Sequence, residues 1–507
     1  MSHLPRVRRA RPIAAGAGVA VALACSGPRV VTTPPPTPAP VAAPAPVATV
    51  DLTKPPTLSA PPSLRPPQIS TRELPNGLKI VVLEQHELPL VDVILQVRSG
   101  GESDPAGKIG TAALVAAMLT EGTTNRTALQ IADQAAYLGI QLNATSGWEQ
   151  SNVSLHTPTA QLDSALALLG DVTLRPSFPT ADLERVRKVR LTSLQQLRDR
   201  APAIADRAFA SAVFGEQHPY GRPLAGTEGS LAAITRDDVQ RFYATHFRPN
   251  NTTLLVVGDV RPDDVERRAR ELFGAWERGT VPTPATGTPG GAKGTTIVIV
   301  DKPGAAQSSF RLGGVGAPRS TSDYFPLQVM NTILGGSYTS RLNQNLRETH
   351  GYTYGAGSGF GLRRSAGPFI ASAEVVTAKT DSALIEFIKE LRAIRDTVPS
   401  DELAKAKRYL QLGLPGSFET TQGIASEFLP LIAYGIPLDF FASAVQQYGA
   451  VTQADVQRVA RQYVNPDRLT IVVVGDRKVI EPGIRALKPG EIVLREIRDV
   501  LGAPPTP

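Results

Sequence analysis

The apolar and polar positions of this chain spell one pattern twice. ITRDDVQRFYATHFRPNNTTLLVVGDV (234–260) and VTQADVQRVARQYVNPDRLTIVVVGDR (451–477) each pass from Thr-x-x-Asp through helical apolar spacing into an unbroken apolar run ending in Gly-Asp. Thr-x-x-Asp is a helix-start signature, in which side-chain oxygens satisfy the free N–H groups of the first turn. The run after each proline predicts a buried strand. Thr235/Thr452, Asp238/Asp455, Val239/Val456, Gln240/Gln457, Arg241/Arg458, Pro249/Pro466 and Gly258/Gly475 all sit 217 residues apart. So many matches at one offset argue for an internal duplication.

The remaining pattern fits two related halves. ELPNGLKIVVLEQ (73–85) places Asn-Gly between apolar alternations, a hairpin signal. GTAALVAAMLTEGT (110–123) predicts a short apolar helix, and FPLQVMNTILGGS (325–337) is its counterpart at a similar offset. TALQIADQAAYLG (127–139) and DLERVRKVRLTSLQQLRDR (182–200) predict helices, while GIQLNATSG and SNVSLHTP predict strands. Hairpins mixed with helices imply an α+β fold, with an antiparallel sheet and packed helices in each half. The halves are expected at 69–279 and 295–490, joined by a Pro/Gly/Thr-rich linker at 280–294 and followed by a tail at 491–507.

Residues 1–68 do not read as fold. Arg6, Arg8, Arg9 and Arg11 precede a 12-residue small apolar run, Ile13 to Ala24, too short to span a bilayer as a mature helix. The run ends at Cys25, the single cysteine of the chain. Residues 1–25 therefore resemble a bacterial export signal ending at a lipidated cysteine; a plain secretory signal cut nearby is the other reading. Residues 28–67 contain 14 prolines, so 26–68 is expected to be an extended tether. Loss of 1–24 leaves 49 Lys and Arg against 46 acids, a charge of +3 rather than +7. That charge gives no argument for nucleic acid. With one cysteine no intrachain disulfide can form.

LPNGLKIVV (74–82), MLTEGT (118–123), LGIQLNATS (138–146), HPYGRPLAGT (218–227), THFRPNN (245–251) and GGSYTSRLNQNLRETHGYTYG (335–355) occur in one order. Together they resemble the pitrilysin/insulinase family of zinc metallopeptidases, in its two-domain bacterial, mitochondrial-processing-peptidase-like form. The resemblance spans about residues 70–480 and implies a clamshell of two homologous halves.

Active family members carry His-x-x-Glu-His on the first-half helix. Histidines at i and i+4 share a helix face and one Zn²⁺, and the glutamate takes a proton from the bound water. A further glutamate comes from a later helix. In this chain the equivalent positions are Ala113, Ala116 and Ala117, and the later ligand falls near Ser193. Glu121 lies in the turn after the helix and does not fill the base position. No two of the six histidines lie within five residues of each other. The sequence thus predicts no metal in this chain, with zinc supplied by a partner.

The resemblance also implies a substrate-binding Arg/Tyr pair, here Arg347 and Tyr354 in LRETHGYTYG. Taken alone, these two read as a surface ion-pair residue and a core aromatic, and Tyr352 competes with Tyr354. Asn143 and Ala144 in LNATS match the family's substrate-binding edge strand; a plain sheet strand is the other reading. The expected function is that of a non-catalytic subunit, resembling the Arg/Tyr chain of family heterodimers. It would be inactive alone and would position an unfolded peptide for a zinc-bearing paralogous partner. It would be exported to the periplasm or cell envelope and held to a membrane by lipid at Cys25. The alternative is a non-enzymatic peptide-binding or scaffold protein of the envelope.

Overall fold

A computed structural model describes residues 64–284, 287, 289–290, 294–488 and 490–503. The export segment, Cys25 and nearly all of the tether lie outside the described residues. Among the described residues, twelve strands form two six-stranded sheets. In the first, β1 (Ile69–Glu73), β2 (Lys79–Glu84), β3 (Leu90–Val97), β4 (Gln141–Ser146), β5 (Ser151–Pro158) and β6 (Thr252–Gly258) take the order β1-β2-β6-β3-β5-β4. In the second, β7 (Thr296–Asp301), β8 (Gln307–Val315), β9 (Thr353–Phe360), β10 (Pro368–Val376), β11 (Thr470–Gly475) and β12 (Glu491–Glu496) take the order β12-β7-β11-β8-β10-β9. Five positions correspond, β2/β7, β6/β11, β3/β8, β5/β10 and the edge pair β4/β9, as the repeat requires.

The α+β expectation of two homologous halves holds, with one correction. Each sheet is mixed, not antiparallel. The closing strand of each half returns after a series of helices and inserts beside the opening strand. Thus β6 runs parallel to β2 and antiparallel to β3, and β11 runs parallel to β7 and antiparallel to β8. Alternation of side chains does not encode strand direction, so the pattern could not show this. The stretch expected as a tail also differs: β12 pairs in parallel with β7 and is followed by the helix Ile497–Leu501.

Local signals have the structures that their chemistry calls for. The Asn-Gly hairpin joins β1 to β2, with Gly77 at φ +86° and its N–H donating to Leu74 O at 2.8 Å. Thr235 caps the helix Arg236–His246 and Thr452 caps Gln453–Tyr463, each through a reciprocal box with the aspartate three residues on.

The central strands are apolar on both faces because two layers cover them. In β11, Ile471 and Val473 join the second half's own core, while Val472 and Val474 meet the helix Ala201–Phe214 of the first half. In β6, Leu254 and Val256 join the first half's core. Leu255 and Val257 instead belong to a cluster with Phe428 and Leu431 of the second-half helix Thr421–Tyr434. Each half therefore lends a helix to the other's sheet, and the two loans are equivalent under the repeat. Phe428 is fully buried in this shared core. Phe428→Ala should cost about 3–5 kcal/mol. Denaturant unfolding should remain a single transition, and two resolved transitions would show that the halves fold independently.

Polar groups close the same interface. Buried Glu149, in the β4–β5 turn, accepts from the Tyr220 hydroxyl and from the Arg364 backbone N–H at 3.0 and 3.2 Å. The Arg364 guanidinium, in the β9–β10 loop, donates to Glu102 at 2.6 Å. The Arg363 guanidinium lies 3.7 Å from the Trp148 ring centroid and 4.5 Å from that of Tyr220. Burial pushes the Glu102 carboxyl up to about 7, against the pull of Arg364. Asp104 is likewise pushed up to about 7 by burial. Carboxyls raised in the folded state favour folding while protonated, and that contribution is lost as pH rises through the folded value. The denaturation midpoint should fall between pH of about 4.5 and about 7, the ordinary and shifted values of Glu102. Glu102→Gln should flatten part of that fall; an unchanged slope would show that Glu102 does not titrate in this range.

Candidate functional site

The helix Thr111–Met118 begins after Gly110, held at φ +96°. Asp104 supplies its cap, accepting from Gly110 N at 2.6 Å and Ala112 N at 2.7 Å. Leu114, Val115, Ala116 and Met118 are buried, and Ala113 and Ala117 form a half-buried face. The helix packs on edge strand β4 and against the helix Thr180–Leu197, which carries Ser193. The fold thus brings the four expected metal-site positions onto two contacting helices beside β4.

Those residues do not fit a zinc ion. Three are methyl groups without a lone pair. Ser193 is exposed, and its hydroxyl donates to Val189 O at 3.0 Å. Glu121 is engaged by the Arg185 guanidinium. A cation has also entered: Arg190, one turn before Ser193, donates from Nη2 to Ala113 O at 2.7 Å, and burial lowers its pKa. A guanidinium at the first ligand position repels a dication. Among the described residues no group of three His, Cys, Asp or Glu side chains could hold a metal. The histidines serve elsewhere. His218 is buried and its Nδ1 accepts from Tyr220 N, as expected of a structural residue. His246 meets Ser99, His156 meets Asp92 and His86 meets Asp259.

In the second half Arg347 lies on the helical turn Gln344–Thr349, and its guanidinium stands 4.6 Å from the Tyr338 ring centroid. The guanidinium also meets the Glu348 carboxylate, at 3.6 Å. Tyr354 is 91% exposed on edge strand β9. Its display has a local cause. Between Thr353 and Ala356, β9 spends one residue more than β10 does between Val375 and Ala373, a bulge at Tyr354–Gly355. Thr353 Oγ1 braces it, donating to Gly355 O at 2.9 Å. Bulges re-aim side chains in this way. The competing Tyr352 is half-buried, packed on the core and stacked on His350. Tyr338, which is 64% exposed, was not singled out from the sequence, although GGSYTSR contains it. Arg190 was missed too; a cation three residues before the vanished ligand was its only signal.

Asn143 is exposed and Ala144 half-buried on β4, which among the described residues pairs only with β5 and has its other edge open.

The family model of Insulinase (Peptidase family M16) matches residues 79–228, and that of the Peptidase M16 inactive domain matches residues 233–410. An uncharacterised zinc protease of Mycobacterium leprae is 29% identical over 77% of this chain and 88% of its own length. A Helicobacter pylori protein described as a non-peptidase homolog is 23% identical over 80% of this chain and 93% of its own. Among solved structures, a peptidase M16 inactive domain from Pseudomonas fluorescens superposes with a TM-score of 0.76 at 25% identity, covering 80% of this chain and 98% of that one. A protease from Helicobacter pylori gives the same TM-score at 21% identity. With the two family models matched in order between residues 79 and 410, and the fold shared, the chain belongs to the insulinase family of M16 peptidases.

Proposed function

We propose that this chain is a non-catalytic subunit that binds an unfolded peptide and positions it for a zinc-bearing paralogue, which supplies metal and base. One observation carries the proposal: the loss is selective. The zinc positions hold alanines with Arg190 against them, whereas Tyr354 is turned outward by a braced bulge on β9, which packs against the turn carrying Arg347. A guanidinium and a phenol can both donate to a substrate carbonyl and to the oxyanion formed when water attacks it. The open edge of β4 at Asn143 and Ala144 supports peptide addition through backbone bonds, which needs little side-chain identity and no zinc. Cys25 and the proline-rich tether support an exported chain anchored by lipid, with its folded part held off the membrane. The name of the Helicobacter relative favours the second reading, an envelope protein that holds peptide without any cleaving partner.

Co-expression with zinc-bearing paralogues of its source tests the first reading. The lone chain should contain no stoichiometric zinc and should cleave nothing, and the reconstituted pair should cleave unfolded peptide. Arg347→Ala or Tyr354→Phe in this chain should then lower kcat of the pair roughly a hundredfold, the scale of losing one oxyanion donor. Unchanged turnover in both variants would remove the assigned role. Stoichiometric zinc in the lone chain would overturn the whole account. Peptide binding without any activating paralogue would favour the second reading.

A further inference from the structure

Two adjoining cavities lie where the helices Thr180–Leu197, Ala201–Phe214 and Ile497–Leu501 meet the GRPLAGT turn (221–227). One is an apolar slot of about 310 Å³, lined by Trp148, Leu194, Leu197, Ala203, Ala210 and Leu224 among others. Its neighbour, of about 580 Å³, is lined by Arg207, Arg222 and Arg498. The two share Arg207 and Arg222 as walls.

The walls carry Arg207, Arg222 and Arg498 together with the carboxylates of Asp206, Glu216, Glu228 and Asp499. Arg207 donates to Gly221 O. Arg222 donates to Glu216 O at 3.1 Å and to Gln217 O at 2.7 Å. Among the described residues these two guanidinia meet backbone carbonyls rather than carboxylates. Of the wall acids, Asp206 pairs with Arg311 at 2.5 Å and Glu228 with Arg198 at 3.1 Å, Asp499 accepts from Glu496 N at 2.8 Å, and Glu216 is exposed and reaches Arg207 only through space. Burial lowers the pKa of Arg207, the mark of a cation withdrawn from water. A guanidinium carries five N–H donors, so both keep donors free after these bonds. A partly desolvated cation is stabilised by an anion in bidentate contact. The apolar slot begins at the same two arginines, and its size falls within the range of small-molecule sites.

We propose that these cavities bind an amphipathic carboxylate, its head on Arg207 and Arg222 and its apolar chain in the slot beside Trp148. The head-and-tail chemistry is shared by a free fatty acid and by the apolar C-terminus of a peptide. The site does not depend on Arg347, Tyr354 or a partner chain, so it stands or falls apart from the proposed subunit role.

Trp148 and Trp276 are the only tryptophans, so a Trp276→Phe background makes the fluorescence report on the slot. The full chain in that background is titrated with decanoate, with decanol, and with a peptide ending in apolar residues as free acid and as amide. Saturable quenching by a carboxylate probe is expected, with its uncharged counterpart at least tenfold weaker. Arg222→Gln should weaken the carboxylate at least tenfold and leave decanol unchanged. Ala210→Phe, which fills the slot, should abolish both. Binding by decanoate alone assigns the lipid source, and binding by the free-acid peptide but not its amide assigns the peptide end; either supports the site. Equal affinity for decanoate and decanol, unaltered binding in both variants, or no saturable change with any probe overturns it.

Discussion

The apolar character of both faces of the central strands constrains everything else in this molecule. Leu254 to Val257 in β6 and Ile471 to Val474 in β11 are apolar without a break, so neither sheet could stand with one face in water. The chain's own helices cover one face. The other is covered by a helix from the opposite half, Ala201–Phe214 in one direction and Thr421–Tyr434 in the other. The duplication thus became a mutual dependence. The interface also buries Glu149 and Glu102 with Arg364, and such groups are tolerable only with their partners in place. The linker at 280–294 separates the halves in sequence, but the shared core does not.

That constraint explains how the fold outlives its metal site. The helix Thr111–Met118 is fixed by Asp104 at its start and by Leu114, Val115 and Met118 in the core, none of which is a ligand position. Alanine is the best helix former, so replacing two histidines and a glutamate with alanines does not weaken the helix. At its surface Arg190 ties Thr180–Leu197 to Ala113 O. At this point the two helices are joined by a hydrogen bond.

The sequence made legible those features that depend on local chemistry or on family frame. The Thr-x-x-Asp caps, the Asn-Gly hairpin and the twofold repeat could all be seen in the letters, because each is carried by residue type at fixed spacing. Strand direction could not be seen, since alternation is the same in either sense. The exchange of helices was hidden for a similar reason: Ile204, Ala208 and Phe209 form an apolar stripe whichever sheet they cover. Arg190 and the Tyr354 bulge were hidden because both arise from contacts between separate elements, a guanidinium meeting a carbonyl 77 positions away and a register shift against β10.

The two equivalent edge strands show how duplication allows a division of labour. β4 and β9 occupy the same end position in their sheets, yet β4 pairs with β5 in unbroken register while β9 is bulged. An intact edge presents its backbone groups at regular spacing, the requirement for adding another strand. Natural edges are commonly blunted by lysine, proline or a bulge. β4 (QLNATS) has none of these, and Gln141, Asn143 and Thr145 leave its exposed face polar but uncharged. In β9 the bulge disturbs the spacing and displays a phenol instead. An intact edge and a side-chain-presenting edge therefore occupy equivalent positions in the two halves, set by the presence or absence of one bulge.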